Sequence, residues 1–403
     1  MYKIAITGLG VVSPAGQGKV GFWQNIQTGQ SFMSPITRFD AAAYPSQIAG
    51  QIEELAAKHI SPRLLKKLDR FSVLALAASE DALQDAGLDL TQHDPYISGV
   101  FLGNALGGWL YAETELRDLY VEGRDGVSPY NASAWFPAAP QGQVSIRYRI
   151  KGYSKTVVAD KASALIAIDH AARIVDRGKL TFALAGGTEA PVTPYAMLCC
   201  STEGGLSPGP YRPFDKERNG FVVGEGAAVV VLETADTARQ RGAEIYGFVT
   251  GFGTTCVGTH RILPDVGGEG LAQAIRFALA TAKYNPEDID YICADGVATE
   301  LGDISEARAI RTVFGDRADQ VPVSAPKSMY GHLLGAAGAV ELVGTVMAMQ
   351  GGMIPPTINH RFHDPECNLD LVLDEGRRAD IGKALVIARG RGGVNAVMAV
   401  ERS

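Results

Sequence analysis

Short apolar runs alternate with longer segments of helical periodicity along most of the chain. Several runs are rich in β-branched residues and are bounded by glycine, as is typical of strands buried on both faces. The N-terminal run MYKIAITGLGVVSP is predicted to be the first core strand. Further strands are predicted at residues 157–160, 182–187, 227–233, 291–296 and 384–390. Strands that alternate with helices indicate an α/β protein.

Two segments, 159–175 and 327–349, each follow a predicted strand and are rich in small and apolar residues. A helix that is apolar nearly all round is expected to lie buried between layers. Because the two segments have the same design, we predict two similar halves that meet near residues 241–244. The predicted domains are 1–242 and 243–403.

Composition limits the classes of function. The 403 residues are 46% hydrophobic and 20% charged, enough for a large core. The net charge of −7 argues against non-specific nucleic-acid binding, which needs a basic face. The sequence shows no signal-peptide pattern and no uninterrupted apolar stretch of about 18 residues, so we expect a cytoplasmic protein.

The cysteines are spaced unlike metal ligands. There are five, and no two form a CxxC pair, so no metal site is predicted. Without a secretory context, the simplest interpretation is that they are reduced thiols. They are Cys199, Cys200, Cys256, Cys293 and Cys367.

Seven motifs in a fixed order resemble the β-ketoacyl synthases. They are TGLGVVSPAG (7–16), KKLDRFS (66–72), AGGTEA (185–190), YRPFDKERNGFVVGEGAAVVVLE (211–233), LGDISEAR (301–308), KSMYGHLLGAAGAVE (327–341) and GRGGVNA (390–396). Any one of these glycine-containing strings would be weak evidence, but together they extend over the whole chain. The resemblance implies a thiolase-like, five-layered αβαβα sandwich made of two similar halves.

The same resemblance implies where catalytic residues should stand. Condensing members of the family carry a Cys at the start of the first buried helix and two His residues in the second half. The helix N-terminus favours the thiolate and binds a developing oxyanion. Here Lys161 occupies the Cys position and Asp295 the first His position, while Lys327 and His332 are retained. The chain is therefore expected not to be an enzyme by itself.

A buried ammonium needs a partner, because leaving it unpaired costs several kcal/mol, against about 0.3–1 kcal/mol for its unfavourable place in the helix dipole. We therefore expect an ion pair between Lys161 and Asp295, with Asp160 as a possible second carboxylate. The alternative is that Lys161 is a desolvated amine that accepts acyl groups. A family loop that normally carries Phe residues is cationic here, at Arg389 and Arg391.

Within the family, the pattern resembles the chain-length factor, the ketosynthase beta subunit of type II polyketide synthases. Such a subunit pairs with a Cys-containing ketosynthase that acts on phosphopantetheine-bound chains of an acyl carrier protein, and the resemblance implies no cofactor of its own. The usual replacement of the Cys is Gln, so Lys161 is a departure. The alternatives are a malonyl decarboxylase using Lys327 and His332, or a homodimeric scaffold that binds an acyl carrier.

The segment 104–120 resembles the interface stretch that bounds the growing chain in chain-length factors. Trp109, Ala112 and Leu116 are spaced i, i+3 and i+7, so a helix places them on one face. We expect Trp109 to be the large stop, with Ala112 leaving room and Leu116 lining a deeper layer. Alternatively, all three only pack a dimer core.

A helix predicted to open at Ser61-Pro62 carries a basic cluster. Long-range attraction would favour docking of an acidic acyl carrier protein there. Most such clusters are simply solvated, and that alternative stays open. The cluster consists of Arg63, Lys66, Lys67 and Arg70.

Overall fold

The computed structural model describes residues 3–55, 60–202 and 205–403. Its strands begin with the fully buried Ile4–Ser13, which the sequence predicted. The strands are β1 Ile4–Ser13, β2 Gly16–Gln17, β3 Ser34–Pro35, β4 Ile48–Ala49, β5 Ser98–Gly103, β6 Lys155–Val157, β7 Phe182–Glu189, β8 Gly226–Thr234, β9 Gly247–Cys256, β10 Tyr291–Cys293, β11 Val323–Ser324, β12 Met353–Ile354, β13 Arg377–Arg378, β14 Lys383–Arg389 and β15 Val394–Arg402.

The helices lie on both faces of the strands and between them. The helices are α1 Lys19–Ile26, α2 Pro62–Leu65, α3 Arg70–Asp85, α4 Trp109–Glu122, α5 Asn131–Ala134, α6 Ala139–Tyr148, α7 Ser163–Asp176, α8 Pro194–Ser201, α9 Ala235–Gln240, α10 Glu269–Ala282, α11 Glu300–Phe314, α12 Lys327–Tyr330 and α13 Ala337–Gly351. Helices α3, α7, α10 and α13 pack against the strands through buried apolar side chains.

The strand order reveals an internal duplication. In the N-terminal half the order is β6-β5-β7-β8-β1, and in the C-terminal half it is β11-β10-β14-β15-β9. Each half therefore places its five strands in the same spatial arrangement. The halves join where Ile4–Ile6 of β1 pairs antiparallel with Gly247–Val249 of β9.

Five layers result from this arrangement. Helices α3 and α6 cover the outer face of the first half, while α10 and α11 cover the outer face of the second. Helices α7 and α13 pack between the two halves of the sheet and contribute to the largest apolar core. The α/β class and the thiolase-like αβαβα sandwich predicted from the sequence are confirmed.

Two predicted helices are interrupted. The segment 327–349 forms α12 and α13, which are separated at Gly331, where φ is +87°. A Cβ at this glycine would lie 2.9 Å from the carbonyl oxygen of Val223, so the backbone turns where side chains rarely fit. The helix predicted from Ser61 stops at Leu65, and α3 starts anew with Asp69 as its N-cap.

The stretch Leu334–Gly351, which contains α13, has a mean hydropathy of 1.2 and is apolar enough to cross a membrane by composition. Of this stretch, 83% is buried inside the protein, as expected of a core helix. The division into 1–242 and 243–403 falls in the loop between α9 and β9 and stays a prediction as a domain boundary.

Candidate functional site: a remodelled pocket at the start of a buried helix

Lys161 lies in the turn that leads into α7, and only 8% of it is exposed. The turn is fixed by Ser163, whose hydroxyl accepts a hydrogen bond from the Ala159 amide at 2.8 Å and donates to the Asp160 carbonyl at 2.6 Å. Asp160 has a φ of +51°, a left-handed conformation that Asp tolerates better than most residues. These contacts fix the turn that holds the Lys161 side chain just before a buried helix.

Asp160 is bound by the C-terminal loop. Its Oδ1 accepts hydrogen bonds from Nε and Nη2 of Arg391 at 2.9 and 2.7 Å, and its Oδ2 accepts one from the Arg391 amide at 2.8 Å. Lys161 Nζ is farther away, 3.9 Å from Asp160 Oδ2. Burial opposes ionisation of Asp160, but Lys161 and Arg391 outweigh it and lower the pKa of this carboxyl to about 2.

The expected ion pair between Lys161 and Asp295 is wrong. Asp295 Oδ1 instead lies 3.4 Å from Lys327 Nζ, and the Arg389 amide donates to it at 3.3 Å. Burial opposes ionisation of Asp295, but Lys327, His332 and, more weakly, Lys161 hold its pKa below the usual range. The positive charge of Lys161 therefore stabilises the Asp295 carboxylate from a distance, whereas Lys327 forms the ion pair with it.

Lys327 is fully buried and ion-paired on two sides. Glu341, on α13, forms its second ion pair. Although burial disfavours the ammonium, Glu341 and Asp295 outweigh this and raise the pKa of Lys327. Lys327 is therefore a structural cation that neutralises two buried carboxylates.

His332 is also fully buried. Its Nδ1 accepts a hydrogen bond from the Leu334 amide at 3.1 Å, which leaves Nε2 to carry the proton of the neutral ring. Nε2 lies 3.8 Å from Asp295 Oδ1, too far for a hydrogen bond. Burial and then Lys327 lower the pKa of His332 to about 4, so the ring is neutral near pH 7.

A cavity of about 250 Å³ opens beside Lys161. One wall is polar and includes Lys161, Asp295 and the cationic loop that carries Arg389 and Arg391. The polar lining also includes the carboxylates of Asp265 and Glu300. The apolar wall of the cavity consists of Val257, Ile262, Leu263, Pro264, Leu271, Val297 and Leu301.

No cysteine lines this cavity among the residues that the structure describes. Cys293 is buried on β10, and its burial raises the pKa of its thiol to about 12. Cys256 is exposed at the end of β9. The cavity can therefore bind and hold polar groups, but the described residues bring no thiol nucleophile to it.

Trp109, Ala112 and Leu116 lie on α4, as predicted. Ala112 is buried, and Leu116 is 42% exposed. Trp109 is half-buried against Tyr195 of α8, with ring centroids 4.1 Å apart. Sequence reasoning missed Tyr195, because only the fold brings α8 beside α4.

Glu113 joins α4 to α8. Its Oε1 accepts hydrogen bonds from the Thr193 hydroxyl and, at 2.9 Å, from the Tyr195 amide. Beyond this junction, both helices present apolar side chains to solvent. These are Leu116, Leu119, Tyr120 and Val121 on α4, and Tyr195 and Leu198 on α8. Exposed apolar side chains on two neighbouring helices are typical of a subunit interface.

The four residues of the basic cluster have different surroundings in the fold. The Arg70 guanidinium binds the buried Glu225 through Nε at 2.7 Å and Nη2 at 2.8 Å, so Arg70 is not available for docking and that part of the prediction is wrong. Lys67 Nζ lies 4.2 Å from the centre of the Tyr130 ring. Arg63 and Lys66 are exposed. Docking therefore stays a prediction for Arg63, Lys66 and Lys67.

Two buried acids were also missed. Glu189 accepts hydrogen bonds from the amides of Ala105, Leu106 and Gly335, and burial raises its pKa to about 8. Glu341 is the second partner of Lys327. Both residues lie within family motifs, which was the available signal, but no motif specifies their hydrogen-bond partners.

Comparisons with known proteins agree with this geometry. The family model of the β-ketoacyl synthase N-terminal domain matches residues 1–238, and that of the C-terminal domain matches residues 246–361. The chain is 38% identical over 407 residues to the tetracenomycin polyketide synthase ketoacyl synthase beta subunit of Streptomyces glaucescens, covering 99% of this chain and 98% of that protein. It is 36% identical over 406 residues to 3-oxoacyl-[acyl-carrier-protein] synthase 2 of Staphylococcus aureus, with the same coverage.

Solved structures are similarly close. The ishigamide ketosynthase/chain length factor superposes with a TM-score of 0.94 at 31% identity, covering 100% of this chain and 99% of that one. A type II polyketide synthase acyl-carrier protein in complex with its ketosynthase bound to the hexaketide gives a TM-score of 0.93 at 29% identity, with both chains fully covered.

Proposed function

Because the chain belongs to the β-ketoacyl synthase family, we propose that it is a non-catalytic chain-length factor that pairs with a Cys-containing ketosynthase. The observation that carries the proposal is Lys161 at the start of α7, in the family's nucleophile position. An ammonium there cannot form the thioester that a thiolate forms. The condensation of malonyl units is therefore assigned to the partner subunit.

The remodelled pocket supports this division of labour. Asp295, which replaces the first His of the family, is held by Lys327 and by the Arg389 amide. Its low pKa keeps it ionised, so it cannot donate a proton to an enolate near pH 7.

The apolar surface formed by α4 and α8 supports pairing. It exposes large apolar side chains beside Trp109 and Tyr195. In the proposed heterodimer, this surface faces the partner, and the stacked pair bounds the tunnel for the growing polyketide. The ketosynthase/chain length factor found among the similar solved structures is a precedent for such pairing.

We also propose the carrier protein, the cofactor requirement and the cellular location. The partner acts on phosphopantetheine-bound chains of an acyl carrier protein, and this chain supplies no cofactor of its own. The place of action is the cytoplasm.

A malonyl decarboxylase that uses Lys327 and His332 is the weaker candidate. Both side chains are fully buried, and Lys327 is engaged by two carboxylates. Neither residue is among those that line the cavity. A homodimeric carrier-binding scaffold is the remaining alternative.

Reconstitution tests the proposal. The chain is co-expressed with a Cys-containing ketosynthase of the family, and copurification in equal amounts is expected. With a malonyl-loaded carrier protein, the pair should form polyketide. The isolated chain should show neither condensation nor a mass increase after incubation with an acyl donor. Acyl transfer to the isolated chain, or purification as a homodimer in the presence of the ketosynthase, would contradict the proposal.

A further inference from the structure

We propose that the cavity beside Lys161 is a binding site for a small amphiphilic carboxylate, with Lys161 as the anchor of the carboxylate and the apolar wall as the site of its hydrocarbon part. This site is independent of the chain-length role, since the apolar surface of α4 and α8 does not contribute to it.

The first argument is the state of the Lys161 ammonium. Its side chain is about nine-tenths buried, yet it donates no hydrogen bond to any of the described residues. Its nearest groups are the Asp160 carboxylate at 3.9 Å and the Phe221 ring, whose centre lies 5.1 Å away. An ammonium has three donors, and the described residues leave those of Lys161 open to groups in the cavity. Lys161 lines the cavity, so an acceptor in the cavity would satisfy them.

The second argument is that the neighbouring carboxylates are already engaged. Asp160 accepts three hydrogen bonds from Arg391, all shorter than its distance to Lys161. Asp295 is closest to Lys327. Both carboxylates therefore have a nearer cation than Lys161, whose own ion pair with Asp160 is long at 3.9 Å, so an anion entering the cavity would meet a loosely paired ammonium.

The third argument is the shape and chemistry of the cavity. The apolar wall, which includes Val257, Leu271 and Leu301, lines the same cavity as Lys161. A volume of about 250 Å³ corresponds to roughly eight groups the size of a water molecule at ~30 Å³ each. A carboxylate with about six carbons meets both requirements.

Titration of the full-length chain with sodium hexanoate tests the inference. Isothermal titration calorimetry and the melting temperature are recorded at constant ionic strength, with hexan-1-ol and hexylammonium chloride as matched probes. Hexanoate should bind and raise the melting temperature, and each probe should bind at least tenfold more weakly. In the series from acetate to hexanoate, affinity should rise by up to about fourfold per methylene, because burying one contributes ~0.8 kcal/mol.

Substitutions test the contributions of Lys161 and of the apolar wall to binding separately. Lys161→Met should weaken hexanoate binding at least tenfold, whereas Lys179→Met, in the exposed segment after α7, should bind as the wild type does. Leu263 is 48% exposed, so Leu263→Ala should fold normally, weaken hexanoate severalfold and leave acetate unchanged. The inference fails if hexan-1-ol matches hexanoate, if Lys161→Met binds hexanoate like the wild type, or if affinity does not depend on acid length.

Should Lys161→Met not fold, the comparison of hexanoate with hexan-1-ol and the Leu263→Ala series decide the outcome on folded protein. Because these measurements use the isolated chain, they do not depend on the partner ketosynthase. A failure here leaves the chain-length proposal intact, and a failure of reconstitution leaves this site intact.

Discussion

Asp160 and Arg391 form a two-pronged ion pair that ties the turn before α7 to the C-terminal loop, with the Arg391 amide as a third donor. The two residues lie 231 positions apart in the chain. The contact therefore joins the N-terminal half to the C-terminal half beside the remodelled pocket.

Replacing Arg391 should destabilise the protein. Arg391→Met leaves the Asp160 carboxylate buried, with the hydrogen bond from the backbone amide of residue 391 and the longer contact to Lys161 but without the guanidinium. Breaking a buried pair costs about 3–5 kcal/mol, and because the Arg391 side chain is 30% exposed we expect a smaller loss of about 1–3 kcal/mol. Urea unfolding measures it. Arg402→Met, which removes a surface pair with Asp380, should cost less than about 1 kcal/mol. Equal losses in the free energy of unfolding for the two variants would show that the Asp160–Arg391 pair stabilises the protein no more than a surface ion pair does.

The stacked pair of Trp109 and Tyr195 should set product length. Trp109→Ala should give longer products and Ala112→Phe shorter ones, since a helical turn of 5.4 Å spans roughly two ketide units. Mass spectrometry of products from the reconstituted pair measures both. Val20→Ala, an exposed change on α1, serves as the control. An unchanged product distribution in both variants, with heterodimer still formed, would refute the assignment.

The divided basic cluster predicts two different phenotypes. Lys66→Glu and Arg63→Glu should weaken binding of an acyl carrier protein, more strongly at low salt, without changing the free energy of unfolding. Arg70→Met should instead destabilise the protein by about 1–3 kcal/mol, because it removes one of the two arginines that bind the buried Glu225. Surface plasmon resonance and urea unfolding separate the two effects. Carrier binding that is insensitive to both charge reversals would exclude docking at this surface.

Burial of neutral His332 should make stability depend on pH. Its pKa is about 4 when folded, against an ordinary 6.5, so the unfolded chain binds the extra proton between these values. The stability that the folded protein has with His332 neutral is fully present above pH 6.5 and is lost as the pH falls toward 4. Between pH 7 and pH 5 it amounts to on the order of 2 kcal/mol.

His332→Gln should therefore lose less stability than the wild type when the pH is lowered from 7 to 5. The free energy of unfolding by urea at the two pH values measures this difference. His363→Gln, at an exposed histidine, should retain the wild-type dependence. A His332→Gln variant with the wild-type dependence would contradict the assignment of the proton to His332.

The sequence by itself determined the layered fold and the identities at the remodelled site. Strands and buried helices follow from local apolar patterns, and the ordered motifs placed Lys161 and Asp295 at positions that the family reserves for catalysis. Both kinds of inference depend on residues that are close together in the chain. The structure confirms the fold, and the correspondence of Lys161 and Asp295 to catalytic positions stays a prediction.

Only the tertiary structure decided how the charges pair. Asp295 is paired with Lys327 from another element of the second half, and Asp160 is paired with Arg391 where loops of both halves converge. The same applies to Tyr195 beside Trp109 and to Glu225 beneath Arg70. An ion pair or a stacked ring depends on distances of a few ångströms between remote segments. Residue type and local periodicity contain no information about those distances.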